Sequence, residues 1–412
     1  MIKPKHPFRF TCSAALGLFQ LVQARLPNDT FFQYQWPLKN SGGQECQGCT
    51  VNKIGADMHM EQAWDITTGD SSIIVAILDT GCKWRLPDFA GRIWINKGEI
   101  AGNGIDDDGN GFVDDVRGWD FHDNDNDPDD IDGHGTSVAS VIGSASNDNL
   151  GFAGVDWKCK LMILRDGRDT SGLLDNTAKA IRYAIKMNAR VINISRGDTG
   201  AFLSTEYKDA VAAAIRAGIV IVAGSANDGV DKISVIAQLP GVIAVGATGP
   251  DDRRTKGLNP GSVPSNYGNR LDLVAPGDYI SVFDITSNQP YDQMASGTSM
   301  ATAHVAGVVA LLLAQDPRRT PAQIRDILCP SADDLVGDPL EDVPGRDKYY
   351  GCGRVNAYRA LSKVGSIRPR PRSVLDRMNG RIEGLKLFTV DGRPVIQLAP
   401  AFGIHGYTLT VP

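Results

Sequence analysis

This sequence predicts an α/β fold: a doubly wound, mainly parallel sheet flanked by helices, followed by a small β-rich extension at the C-terminus. Three observations predict it. Strand and helix patterns alternate from Gln62 onward, the strand segments are continuous apolar runs, and 412 residues suffice to bury a sizeable core without metals or disulfides. Continuous apolar strands are buried on both faces, as in a parallel sheet covered by helices on each side.

The elements follow in order. Residues 72–78 (SIIVAIL) form a β-branched run that ends at Asp79. Gly133-His134-Gly135-Thr136 opens a helix of small residues, and residues 161–164 are a second short strand. Residues 176–187 have helical spacing, 191–194 read as a strand, 205–217 as a helix, and 219–223 and 242–245 as strands. A long apolar helix covers 299–314. Ligands on such sheets bind beyond the carboxyl ends of the strands, so chemistry is expected at strand ends and helix starts.

Residues 367–372 (IRPRPR) have the composition of a stiff linker. Past it, 385–390, the turn Asp391-Gly392 and 394–398 read as a hairpin, with a further strand at 407–411. So small a fragment is not stable alone, and it would dock on the main body or serve an anchoring or sorting module. The expected organisation is a signal peptide at 1–24, a catalytic domain at 25–364 with an acidic insertion at 96–132, a linker at 365–372 and a β-rich segment at 373–412.

The formal charge of −6 is unevenly distributed. Between Asp106 and Asp132 stand twelve aspartates and one basic residue, Arg117, so this segment carries −11 and the rest of the chain +5. No broad basic field remains to neutralise phosphates, which excludes a general nucleic-acid binder. Glycine (45) and proline (22) are too few for a low-complexity or collagen-like chain. No apolar run reaches the ~18 residues that span a bilayer, so no membrane span is expected.

Lys3, Lys5 and Arg9, the apolar stretch 10–22 and the small-residue site Val22-Gln23-Ala24 fit a cleaved secretory signal. The alternative is an N-terminal helix or the end of a propeptide. Cleavage would remove Cys12 and leave six cysteines, an even set that suits a secreted protein without defining the pairing. Cys46-x-x-Cys49 has no second such pair and no nearby His pair, which argues against zinc.

Three boundaries carry the candidate chemistry: Asp79-Thr80-Gly81 closes the first strong strand, Gly133-His134-Gly135-Thr136 opens one helix, and Gly297-Thr298-Ser299-Met300-Ala301 opens another. A serine becomes nucleophilic when an imidazole, oriented by a carboxylate, takes its proton. At a helix N-terminus it also lies beside free N–H groups and the positive dipole end, which stabilise an oxyanion. Each motif alone is weak, since a lone His is more often structural. The order Asp, His, Ser at three element boundaries of one α/β pattern is strong.

In these motifs the chain resembles the subtilisin-like serine proteases (subtilases, peptidase family S8). The likeness runs from about residue 27 to 361 and is best at 74–81 (IVAILDTG), 132–136 (DGHGT) and 296–307 (SGTSMATAHVAG). It implies a serine endopeptidase that hydrolyses polypeptides through an acyl-enzyme, secreted, calcium-stabilised and monomeric. By resemblance Ser299 is the nucleophile, His134 the general base and acid, Asp79 the orienting carboxylate and Asn227 the side-chain oxyanion donor. Ser195, Arg196, Gly197, Ser225 and Ala226 match the substrate-binding segments, the first pairing with the substrate backbone as an added strand.

The departures concern the cleft. Ala226 stands where the family usually has Gly and adds a methyl beside the S1 wall. Ser195-Arg196-Gly197-Asp198 replaces Ser-Leu-Gly-Gly, so Arg196 and Asp198 are expected to bring charge to the cleft. Ala303 stands for a usual Pro, and Ser137 and Ser140 for a His and a Gly. None removes a catalytic group.

Residues 106–115 (DDDGNGFVDD) space oxygens at Asp106, Asp108 and Asn110, with Gly111 allowing a turn and Asp114 following. Hard-cation loops present ligands to Ca²⁺ this way, although Arg117 stands at position twelve, where an EF-hand has Glu. The alternative is a solvated acidic loop. A second Ca²⁺ site is implied by resemblance, from Asp29, Asp88 and the loop around Asn147 and Asp148. Cys329 and Cys352 are the disulfide that the resemblance favours. The family's propeptide has little room between the cleavage site and Pro27, so either folding proceeds without it or an upstream piece lies outside this sequence. Against the endopeptidase stand a non-catalytic peptide- or calcium-binding scaffold and an esterase. An esterase would carry a GxSxG elbow, and none surrounds Ser299.

Overall fold

The structure, a computed structural model, describes residues 26–168, 174–197, 199–200, 202–258, 261–285, 291, 293–363, 386–390, 393–397 and 409–410. The expected signal peptide, the linker and Asp198 lie outside the described residues. Contacts divide the chain into two compact units, Met1–Lys363 and Val364–Pro412.

The first unit is built on seven parallel strands: β1 (Ile74–Asp79), β2 (Gly118–Asp120), β3 (Lys160–Arg165), β4 (Val191–Ile194), β5 (Val220–Gly224), β6 (Ile243–Thr248) and β7 (Leu273–Pro276). They lie in the order β2-β3-β1-β4-β5-β6-β7, with Asp79 opposite Arg165 and Leu78 opposite Ile194. Successive side chains alternate between two cores. Val75, Ile77, Leu161, Ile163, Val220 and Val222 face one; Ala76, Leu78, Met162, Leu164, Ile221 and Ala223 face the other. This is why the strands read as unbroken apolar runs.

Helices α2 (His134–Gly143) and α5 (Thr298–Gln315) supply the first core, and α3 (Leu174–Lys186) and α4 (Thr205–Arg216) the second. Helix α5 is buried on all sides, as expected of an apolar helix at the centre of a large domain. Its 18 residues are apolar enough on average to cross a bilayer, although no unbroken apolar run marks them, but 89% of it is buried inside the protein. It is a core helix.

Three further helices, α1 (Met60–Ile66), α6 (Pro321–Ser331) and α7 (Ala357–Ser362), and an antiparallel pair, Ile280–Val282 with Gln293–Ala295, complete the unit. Cys329 and Cys352 are joined, as are Cys46 and Cys49, while Cys82 and Cys159 are free and buried. In the second unit Lys386–Val390 pairs antiparallel with Arg393–Gln397, which pairs with Leu409–Thr410. The turn Asp391-Gly392 lies outside the described residues.

Candidate active site

Strand order reverses on either side of β1, and at such switch points the loops diverge and leave a crevice above the strand ends. Asp79 ends β1 there, Ser195 follows β4, and Ser225 to Asn227 follow β5. Asp79 Oδ1 accepts from the Thr80 N–H at 2.8 Å and lies 2.7 Å from His134 Nδ1. That contact fixes the imidazole and leaves Nε2 for other partners. Burial alone would lower the His134 pKa, but the charge and hydrogen bond of Asp79 outweigh it, and the net direction is upward.

The turn after β1 and the start of α2 interlock. Gly81 has φ +108°, and a Cβ there would meet the Pro128 carbonyl at 2.7 Å; a Cβ on Gly135 would meet the Gly81 carbonyl at 2.1 Å. Only glycine fits either place. Asp130 locks the junction: its oxygens accept from Thr80 Oγ1 and from the N–H groups of Gly133 and Thr136. In the sequence Asp130 stands out only as part of the acidic run. Its offset of four residues before His134, at a helix start, was the available signal.

Ser299 is the second residue of α5, among the first-turn amides that lack intrahelical partners. Its hydroxyl donates to the Ser195 carbonyl at 2.8 Å, and Ser195 Oγ donates back to the Ser299 carbonyl at 2.9 Å. The one hydroxyl proton is therefore spent on the Ser195 carbonyl and must turn from it to reach His134 Nε2. Asn227 Oδ1 accepts from the Thr298 N–H at 2.9 Å, which anchors the exposed amide and leaves both Nδ2 hydrogens to donate. The other histidine of the motif, His304, contacts the Pro276 carbonyl through Nδ1 at 2.9 Å, and burial pushes its pKa down to about 4. It is a neutral core residue.

The cleft segments differ from expectation at Arg196. Its side chain is 7% exposed and turns inward, where Nη2 donates to Asp166 Oδ1 at 2.8 Å. Burial beside an acidic partner draws the guanidinium away from the cleft, so Arg196 does not bring the expected charge there. Ser225 is buried and donates to the Asn266 carbonyl. Ala226 has φ +84°, and its Cα and Cβ lie 2.8 Å from where a Cβ on Gly197 would stand. The two cleft segments therefore abut, and the Ala226 methyl lies at their contact.

In the acidic insertion, carboxylate oxygens of Asp106, Asp108 and Glu99 lie within 4.8 Å of one another. Glu99 was not foreseen, because it comes from outside the acidic run. Oxygens of these residues, and of Asn110 and Asp114, also hold the loop: Asn110 Oδ1 accepts from Phe112, Asp114 from Gly102, Asn103 and Gly104, Asp106 from Asn110 and Gly111, Asp108 from Asn110, and Glu99 from Asp108 and Asp114. Buried Asp115 anchors the loop to Asn96, Asn110 and Tyr183. Arg117 stacks over Trp84, 3.9 Å from the ring centroid. Elsewhere Asp29 Oδ2 accepts from the Asn147 N–H at 2.8 Å, while Oδ1 is buried without a partner among the described residues. Burial first, and the charge of Asp148, raise its pKa to about 6. Asp88, raised by burial too, accepts from Tyr291 Oη and Phe152 N–H. Hard oxygens alone, one of them an orphaned buried carboxylate, form a donor set that fits Ca²⁺.

A parallel α/β sheet with a carboxylate-held imidazole and a helix-start serine above its switch point has the form of a serine hydrolase. The subtilase family model matches residues 70–353, and the chain belongs to that family: it is a subtilisin-like serine endopeptidase acting on polypeptides. It is 34% identical over 339 residues to a thermophilic serine proteinase of Bacillus sp. strain AK1, covering 82% of this chain and 69% of the relative. To thermitase of Thermoactinomyces vulgaris it is 34% identical over 301 residues, covering 73% and 92%. A solved structure of proteases from Pseudoalteromonas arctica shares the fold, with a TM-score of 0.61 at 24% identity over 82% of this chain and 98% of the other.

Proposed function

We propose that the endopeptidase works through an acyl-enzyme with Ser299 as nucleophile, His134 as base and acid, Asp79 as orienting carboxylate and Asn227 as oxyanion donor. The observation that carries this reading is the 2.7 Å contact between His134 Nδ1 and Asp79 Oδ1 on an imidazole whose pKa is raised. Ser299 Oγ rotates from the Ser195 carbonyl to His134 Nε2, gives up its proton and attacks the scissile carbonyl. The developing oxyanion is met by Asn227 Nδ2 and by the Ser299 N–H at the start of α5. His134 returns the proton to the leaving amine, and water repeats the sequence on the ester. The backbone of Ser195 to Gly197 aligns the substrate as an added strand.

The same reading has the enzyme secreted, monomeric and stabilised by Ca²⁺. The leader composition supports secretion. Glu99, Asp106 and Asp108 would hold one ion, and Asp29 and Asp88 with the Asn147 loop a second; bound, it would neutralise crowded carboxylates and stabilise the fold. Ser299→Ala is the test. Casein hydrolysis should fall by about 10⁶ and labelling by a fluorophosphonate should vanish. Equal turnover by the variant, or no labelling of folded wild type, overturns the reading.

A further inference from the structure

Behind the Asp79–His134 pair lies a second buried charge cluster that the mechanism above does not use. Asp166 directly follows β3 and Arg196 follows β4, the two strands that flank β1, so both stand beside Asp79 at the carboxyl edge of the sheet. The Asp166 N–H donates to the Asp79 carbonyl at 3.1 Å. Asp166 Oδ1 accepts from Arg196 Nη2 at 2.8 Å and Oδ2 from Thr177 Oγ1 at 2.5 Å. All three charged residues are buried. Asp79 Oδ2, Arg196 Nη1 and Tyr207 Oη are each buried without a hydrogen-bond partner among the described residues. Stability gives no reason for such a cluster, since a buried ion pair can be replaced by apolar residues at little cost. Its place gives one.

We propose that Arg196 and Asp166 are a positioning pair for the catalytic carboxylate: Asp166 orients the guanidinium beside Asp79, and the neutral pair sets the field in which Asp79 and His134 work. This rests on the triad reading above. The groups that face the centre are Asp79, Asp132 and Arg196 around His134; Arg196, Thr177, Asp79 and Tyr207 around Asp166; and Asp130, Asp129, Lys83 and Asp79 around Cys82. Of the two cations, Lys83 is partly exposed and paired with Asp129 at 2.6 Å, so Arg196 is the buried one. With Asp166 ionised, its charge is cancelled. Without Asp166 it opposes the imidazolium that His134 must become.

The test is Asp166→Asn, which keeps the shape and an acceptor for Thr177, with Arg196→Gln/Asp166→Asn as the charge-free double variant. The acid limb of kcat/KM should move down by roughly one pH unit in Asp166→Asn, the effect of one nearby unit charge at an effective dielectric near 20. Its kcat should fall roughly tenfold with KM unchanged. In the double variant the limb should return to the wild-type position. A merely structural pair would change the melting temperature and leave the limb in place. A folded Asp166→Asn enzyme with the wild-type limb and kcat, or a double variant that keeps the shift, overturns the proposal. Should Asp166→Asn fail to fold, a double variant whose limb departs from wild type does the same. Failure of the triad reading is distinguishable, because it appears as an active Ser299→Ala enzyme.

Discussion

At the carboxyl edge of the sheet, Asp79, Asp130 and Asp166 are each at most 2% exposed, and each meets named donors. In the acidic insertion, Asp107 and Asp108 face solvent, and Asp106, Asp108 and Glu99 crowd together with no cationic side chain within salt-bridge distance among the described residues. The same side chain is used in opposite ways. A carboxylate buried singly orients a neighbour, because its charge is felt through low dielectric and its geometry is fixed by donors. Carboxylates clustered at the surface are held by the N–H groups they accept from, repel one another, and gain further from a shared cation. The first region should therefore govern rate and the second stability.

The largest expected effect breaks the first region and spares the second. Asp79→Asn should lower kcat by about 10⁴, because an amide favours the wrong imidazole tautomer. The loss of melting temperature caused by EDTA should match that of wild type. A variant with near-normal kcat would remove Asp79 from the mechanism.

Next comes a buried group close to the centre that acts on stability alone. His304 has its pKa pushed down to about 4 by burial, below the ordinary 6.5. The folded state thus binds this proton less readily than the unfolded chain. Its contribution is complete above pH 6.5 and is lost as pH falls towards 4, a loss of roughly 3 kcal/mol. Denaturant titrations from pH 8 to 4 should show this slope, and His304→Gln should flatten it. An unchanged slope in the variant would assign the acid sensitivity to carboxylates instead.

The insertion is tested by chelation. With Ca²⁺ at a hundredfold excess over its Kd, EDTA should remove about 2.7 kcal/mol per site. Asp106→Asn with Asp108→Asn should reduce that sensitivity while leaving fluorophosphonate labelling of Ser299 intact. If EDTA leaves the melting temperature unchanged, the insertion is solvated acid and the comparison between the two regions reduces to the triad alone.

The two regions also differed in how far the sequence disclosed them. Strands β1, β4 and β5 were legible because burial on both faces forces unbroken apolar runs, and the triad because its glycines answer to close backbone contacts. Strands β2 and β7, helix α6 and the Ile280–Val282 pair were missed, being short or lacking a clear period. In the insertion, composition revealed the charge and concealed the contacts. Glu99 joins Asp106 and Asp108 only through the folding of the loop, while Asp114 and Asp130 serve backbone N–H groups. In the sequence Arg196 reads as a cleft charge, because its partner Asp166 is thirty residues distant and meets it only across the sheet.

The smallest effect concerns the contact between the two cleft segments. Ala226 holds φ +84°, a left-handed conformation that costs an L-residue with a Cβ about 1–2 kcal/mol. Ala226→Gly removes that strain, at the expense of a more flexible unfolded chain, and the balance should favour the variant by about 1 kcal/mol. The melting temperature should then rise by about 2 °C. The same change removes the methyl that abuts Gly197, so KM should fall for peptides with bulky side chains at the residue before the scissile bond and stay constant for small ones. A higher melting temperature with no change in KM would mean that the methyl strains the turn without shaping the pocket. A lower melting temperature would mean that the packing against Gly197 outweighs the backbone strain.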